Sequence, residues 1–534
     1  MTSGTTTEAA APNAHRLLWA GFTAILAAGV GYAVRGGILT QWANQFSFTM
    51  TELGTITGGG LTGFGIVIIL SSLVADKLGY GKLMIAAFIL HLISAGLTLA
   101  APFVFSTSGK DATFYCLFIG MFIFAIGNGL CEAVVNPMTA TLFPKNKTHY
   151  LNILHAGWPA GLVMGSLASF FMAGGTTANG VTTEPVHWTI QMSLFLIPVV
   201  VYGGMLLGQR FPKSEAESAG VTLMQMITSI FAPLMLVLLV IHAMVGYVEL
   251  GTDSWISKIT GAIMEKPAYG LALFAYTSSL MFVLRFVAGP IVHTISPLGL
   301  LFASAILGTT GLTLLGSADG WVMCTVAATV YACGKTFLWP TMLAVASEQF
   351  PRGGAVAIGM LGGVGMLSAG LLGGPAIGFK QDYNASAELK AKSEATFDRY
   401  RAAGESSFFG FRTVGLDGAK VGVLEDGGKE LARAGEVLAK EPETPANQAA
   451  RKNQAELEAW WAQAKPFAET DKPLVQQAGI YGGQMALKLT AYVPATMAVC
   501  YLLLIIYFRM IGGYKPKTVD QAVHTGTDLG TAES

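Results

Sequence analysis

The chain has 534 residues, and only 12% of them are charged, about half the share in an ordinary soluble domain. Hydrophobic residues make up 52%, and 32 basic side chains balance 32 acidic ones. This excludes a disordered chain, which would be poor in hydrophobes, and a nucleic-acid binder, which would carry a basic excess. The charge is also unevenly spread: residues 380–472 hold 30 of the 64 charges. Elsewhere the composition is that of a membrane protein.

Residues 1–14 are rich in Thr and Ala, lack a basic start, and read as a disordered tail rather than a cleavable signal. Twelve apolar runs follow, each near the twenty residues needed to cross a bilayer. They lie near 17–39, 53–75, 83–105, 113–142, 150–174, 189–208, 229–251, 268–290, 297–316, 321–347, 354–379 and 487–509. The expected fold class is therefore an all-α membrane protein of twelve helices in two pseudo-symmetric halves. The first half spans 15–208, a polar linker 209–228, and the second half 229–509. Within the second half an outer insertion occupies 380–486, and a tail of 510–534 follows. Trp460 and Trp461 in the insertion could anchor it to lipid or to protein.

Short loops on one side collect Arg16, Lys77, Lys82, Lys145, Lys147, Arg210, Lys213, Arg352, Arg509, Lys515 and Lys517. The other side has only Lys110, Lys258 and Lys266 outside the insertion. The positive-inside rule then puts both termini in the cytoplasm of a cell whose inner membrane holds the protein. The five cysteines fall in apolar runs without metal spacing, and read as small buried hydrophobes. No cofactor or metal motif is present: the runs Gly58-Gly59-Gly60 and Gly362-Gly363 lack a Walker lysine and suit close helix packing.

Two local matches suggest a six-plus-six repeat. Val30-Gly31-Tyr32 precedes Arg35 in helix one, and Val245-Gly246-Tyr247 precedes Glu249 in helix seven. Glu132 lies five residues before Pro137 in helix four, and Lys335 five before Pro340 in helix ten. Charges within a bilayer are costly and mark partners or pathways. The repeat suggests an outer gate of Arg35 with Glu249 or Asp253, and a deeper pair of Glu132 with Lys335. Asn136, Asn152, His155, Trp339, Tyr32 and Tyr247 are the polar and aromatic neighbours expected at a binding or coupling site. His91 and His242 read as satisfied core histidines.

The loop Asp76-Lys77-Leu78-Gly79-Tyr80-Gly81-Lys82 resembles the cytoplasmic motif of the major facilitator superfamily, with Ser72 in place of its leading Gly. Arg285-Phe286-Val287-Ala288-Gly289-Pro290 resembles its degenerate second copy. The resemblance implies that Asp76, Lys77, Gly79 and Arg285 latch helices on the cytoplasmic face, and that helices one, four, seven and ten line a central cavity. The stretch from Gly127 to Gly165, with Glu132, Asn136-Pro137, Asn152 and His155, is similar to the fucose/glucose permease branch. That similarity implies a sugar or polyol substrate, with Glu132 coupling protons; the branch's first-helix acid is replaced here by Arg35. A monomeric transporter with a small-molecule substrate, not an enzyme, is the expectation. The alternatives are an organic-anion carrier, in which Arg35 and Lys335 hold a carboxylate, and a non-transporting membrane sensor that docks a partner on the insertion.

Overall fold

The computed structural model describes residues 13–46, 48, 53, 55–57, 60–172, 175–176, 182–183, 186–440 and 448–519. Residues 1–12 of the expected N-terminal tail and 520–534 of the C-terminal tail lie outside them. Eleven helical stretches among the described residues are long and apolar enough to cross a membrane. One of these, Tyr80–Leu142, has 63 residues and would be about 95 Å long if straight, roughly three bilayer cores. It breaks at Gly109, whose φ of 79° and ψ of −170° are not helical, so it supplies helices three and four. The arrangement is consistent with twelve crossings.

Helix one is Ala14–Phe46, and helix two is Gly60–Leu78, ended by Gly79 at φ 85°. Helix five runs through Lys147–His155 and Gly157–Met172, and helix six through Trp188–Ser193 and Leu196–Leu206. Helix seven is Pro233–Gly246 and Thr252–Ile263, joined by a π-helical turn at Tyr247–Gly251. Helix ten is Trp321–Lys335 with Leu338–Gln349. Helix eleven is Gly354–Ser368 with Gly374–Lys392, joined by a second π-helical turn, Ala369–Gly373. Helix twelve is Ala468–Thr490 with Tyr492–Met510.

Helix eight differs from its expected extent. It covers Pro267–Arg285 and resumes at Ala288. The turn into helix nine comes only at Ser296, with φ 64°. The run Arg285–Pro290 is therefore not a loop. The Gly289-Pro290 pair bends the helix without ending it, because Pro290 denies the Phe286 carbonyl its usual donor.

The ends of the two halves and the linker gather on one face, here called the linker face. Asn13 donates to Gln209 and Arg210 there, and Arg16 donates to the Met205 carbonyl. Helices seven and eleven approach closely where their π turns meet: a Cβ on Gly251 would lie 2.7 Å from the Gly373 Cα. Small residues permit such contact, which in lipid supplies the packing that burial supplies in water.

The insertion is a folded unit with its own core. Leu389, Phe397, Tyr400, Leu424, Leu431, Trp461 and Val475 pack together, separately from the bundle. Arg399 grips the buried Asp471 through two bonds of 2.8 and 2.6 Å, and Thr396 donates to the same carboxylate at 2.8 Å. Trp460 donates to the Arg399 carbonyl, and Trp461 is buried. Both tryptophans thus serve the insertion's own structure.

Candidate functional site

Three transmembrane helices are interrupted near one another, and one side chain fills the gaps. Proline at position i has no N–H, so it frees the carbonyl of residue i−4. Pro159 frees the His155 carbonyl in helix five, and Pro340 frees the Thr336 carbonyl in helix ten. Arg285 donates to both: Nη1 to His155 O at 2.5 Å and Nε to Thr336 O at 3.0 Å. Its Nη2 reaches Glu249 Oε1 at 2.9 Å. The guanidinium is 2% exposed. A planar fork of donors suits this task better than an ammonium would. Glu249 lies in the π turn of helix seven, a distortion that commonly re-aims side chains at functional sites.

A second chain of polar contacts meets this hub. Asn136 Nδ2 donates to Glu132 Oε2 at 2.6 Å, and His155 Nε2 donates to Asn136 Oδ1 at 2.8 Å. An amide bonded this way sets His155 in its Nε2-protonated form. Glu132, 8% exposed, forms no salt bridge among the described residues. Lys335 pairs with Asp253 instead. Two residues that precede His155 on the same helix bind the other half as well. Asn152 donates to Thr341 of helix ten at 3.2 Å, and Thr148 donates to Glu348 at 3.3 Å. These contacts close the linker face between the halves.

Several expectations need correcting. Arg35 does not pair with Glu249 or Asp253. It turns into the first half, donating to Ser94 Oγ at 3.0 Å and lying 3.9 Å over the Phe124 ring. Its helical phase points it at helices three, four and six, away from the opposite half. Glu132 and Lys335 do not pair either; each has a nearer partner, Asn136 and Asp253. Arg285 does not sit at the linker face: it lies eleven residues before Ser296, roughly 16 Å along the helix from that end. Trp339 packs on His242 at 4.6 Å between ring centroids, within the second half. His91 is held by Tyr202 and Asn128 as a core histidine would be. Neither ring nitrogen of buried His242 has a hydrogen-bond partner among the described residues.

Asp76 sits at the linker face, its Oδ2 3.3 Å from where a Gly354 Cβ would lie. Gly354 starts helix eleven, and a carboxylate is favoured at such an N-terminus. Lys77 is exposed beside it. Toward the insertion, Tyr32 packs against Trp158 with ring centroids 5.8 Å apart and the rings tilted by 47°, yet stays 50% exposed, within electrostatic range of Asp253. Tyr247 accepts from Lys380 Nζ at 3.0 Å. Lys380, Thr341 and the interior position of Arg285 were not anticipated. Three prolines, Pro159, Pro290 and Pro340, inside apolar runs were the available signal for the hub.

The family model of the Major Facilitator Superfamily matches residues 21–374. The chain belongs to the major facilitator superfamily. It is a multi-pass integral membrane protein of a family whose members are transporters. Among curated proteins, none matches. Among solved structures, FucP, the E. coli fucose:proton symporter, is similar in its outward conformation: TM-score 0.54, 17% identity, covering 68% of this chain and 91% of that one. The proton:xylose symporter XylE gives TM-score 0.53 and 14% identity, over 68% and 87% of the two chains. The human organic anion transporter MFSD10 gives TM-score 0.52 and 14% identity, over 69% and 93%. At these identities the likeness is one of fold.

Proposed function

We propose that this superfamily member is a secondary active transporter that moves a sugar or polyol by alternating access, coupled to protons. The carrying observation is the chain Glu132–Asn136–His155, which ends beside the Arg285–Glu249 pair. Glu132 is a buried carboxylate held by a neutral amide, so it can gain or lose a proton without breaking an ion pair. His155 shares the same amide, and its backbone carbonyl joins the chain to the other half. Protonation at Glu132 is thereby linked to the interface between the halves, as coupled transport requires. The symporter neighbours FucP and XylE support the substrate class, and Asn136, Asn152, Tyr32 and Tyr247 supply hydroxyl and amide groups suited to it.

The organic-anion reading fits less well. Lys335 is engaged by Asp253 and Arg285 by Glu249, while Arg35 faces the first half. Two of the three cations are thus already neutralised by carboxylates, and the third is turned into the first half. In our reading the linker face is cytoplasmic, following the basic loops, and the membrane is the inner one.

The test is a thermal-shift screen of purified protein against monosaccharides, polyols and carboxylates, followed by uptake of any hit into proteoliposomes with and without a proton gradient. Ligands stabilise the state that binds them by mass action. Stabilisation by a sugar, and accumulation driven by the gradient, would support the reading. Stabilisation by carboxylates alone would replace it with the anion carrier.

A further inference from the structure

We infer that Arg285 is the intramembrane latch that holds the linker face shut. The inference rests on the alternating-access reading above and adds the residue that sets its equilibrium. Arg285 belongs to helix eight of the second half. One of its two backbone acceptors, Thr336 O, lies in its own half; the other, His155 O, lies in helix five of the first half. Only the second bond crosses between the halves. Both carbonyls lack their intrahelical donor because Pro159 and Pro340 have no N–H. In a site closed to water each freed carbonyl needs a partner, and the guanidinium supplies one to both at once.

Glu249 completes the latch. It draws off the third direction of donors and neutralises the charge, so the guanidinium can stay buried. His155 O sits on the linker side of helix five, eight residues after its start at Lys147, about 12 Å along it. Opening the linker face carries that end of helix five away from helix eight. The Arg285–His155 bond must then break, along with the Asn152–Thr341 and Thr148–Glu348 contacts nearer the face. The last two are single hydrogen bonds of 3.2 and 3.3 Å. The arginine contact has an ionised, buried donor, whereas the other two have neutral amide and hydroxyl donors.

The experiment measures conformation directly. Spin labels go on Lys145→Cys and Thr294→Cys, exposed at the linker ends of opposite halves, with Cys116, Cys333 and Cys500 replaced by serine. Distance distributions are recorded by double electron–electron resonance in lipid nanodiscs without substrate. Arg285→Gln should raise the population of long linker-face distances about tenfold. Pro159→Ala should shift it in the same direction, because the restored N–H claims the His155 carbonyl. Pro340→Ala, which acts within one half, should leave the distribution unchanged. Unchanged distances in both Arg285→Gln and Pro159→Ala would overturn the latch, as would an equal shift in Pro340→Ala. Should Arg285→Gln fail to fold, the two proline variants decide the matter alone. The readout needs no substrate, so a failed uptake assay leaves it intact, and a failed latch leaves the transport reading standing.

Discussion

Glu132 and Lys335 illustrate how a charge inside the bilayer takes on its role from its nearest partner. Glu132 has an amide for company, and Glu132→Gln mimics its protonated form permanently. Uptake against a gradient should vanish in this variant, while exchange of labelled for unlabelled substrate persists and loses its dependence on pH. Exchange that keeps the parent's pH profile would remove Glu132 from coupling. Lys335 is different: it is 1% exposed and relies on Asp253. Asp253→Asn strands the ammonium, and breaking such a pair costs roughly 3–5 kcal/mol, visible as a lowered melting temperature. Replacing both, Lys335→Met with Asp253→Leu, should recover most of the loss. These charges were legible as residues in the sequence, since each interrupts an apolar run. Their pairing was not. The repeat argument set opposite signs against one another across the halves, but the helical phase of Arg35 points it elsewhere. Arg285 was hidden by Gly289-Pro290, which resembles a helix end and is only a bend.

Elements show how sequence patterning becomes geometry. Twenty-residue apolar runs are a strong signal, and the all-helical membrane architecture followed from them. The breaks within helices are subtler, because proline and glycine are tolerated in membrane helices when neighbours satisfy the freed groups. The π turns of helices seven and eleven left no recognisable mark in the sequence; they reflect where Gly246 and Gly251 let the two backbones touch. The segment after helix twelve has a role that composition could not reveal. Tyr514 Oη donates to Glu348 at 2.5 Å, Lys517 N donates to the Glu348 carbonyl at 2.8 Å, and Gln349 donates to the Lys515 carbonyl at 2.9 Å. Glu348 also accepts from Thr148 of the other half. The tail therefore braces the residue that closes the linker face. Truncation after Gly513 removes all three of these hydrogen bonds and should loosen that closure, raising the reactivity of a cysteine placed at Thr148 toward a water-soluble maleimide at least several-fold, at about 1 kcal/mol for each bond lost. Unaltered reactivity would mean that the tail only rests there.

At the scale of the whole molecule, the zero net charge resolves into three separate populations. A basic linker face, a set of buried charges in the bundle, and the insertion each have their own physics. The insertion carries nearly half the charges, yet it builds a core around Phe397, Tyr400 and Trp461 and a buried Arg399–Asp471 pair. Its surface charge concealed that core in the sequence. Because this core is separate from that of the bundle, the two units should be separable. Lys392 donates to Gln477 at 3.3 Å, so the extensions of helices eleven and twelve run side by side at that level. Neighbouring helices lie roughly 8–10 Å apart, a gap that a loop of about four glycines and serines spans. Replacing 393–473 by such a loop should leave a monodisperse protein with the parent's uptake rate, because the Arg285 hub, the Glu132 chain and the linker-face contacts all lie outside the segment removed. Trp461→Ala in the intact chain, by contrast, should cost the insertion about 3–5 kcal/mol and add an early melting step without touching transport. Loss of uptake in the shortened but folded protein would mean that the insertion takes part in the cycle. The contact of the removed segment with retained helix eleven, Phe408 on Phe379 at 6.2 Å between ring centroids, would be the place to look.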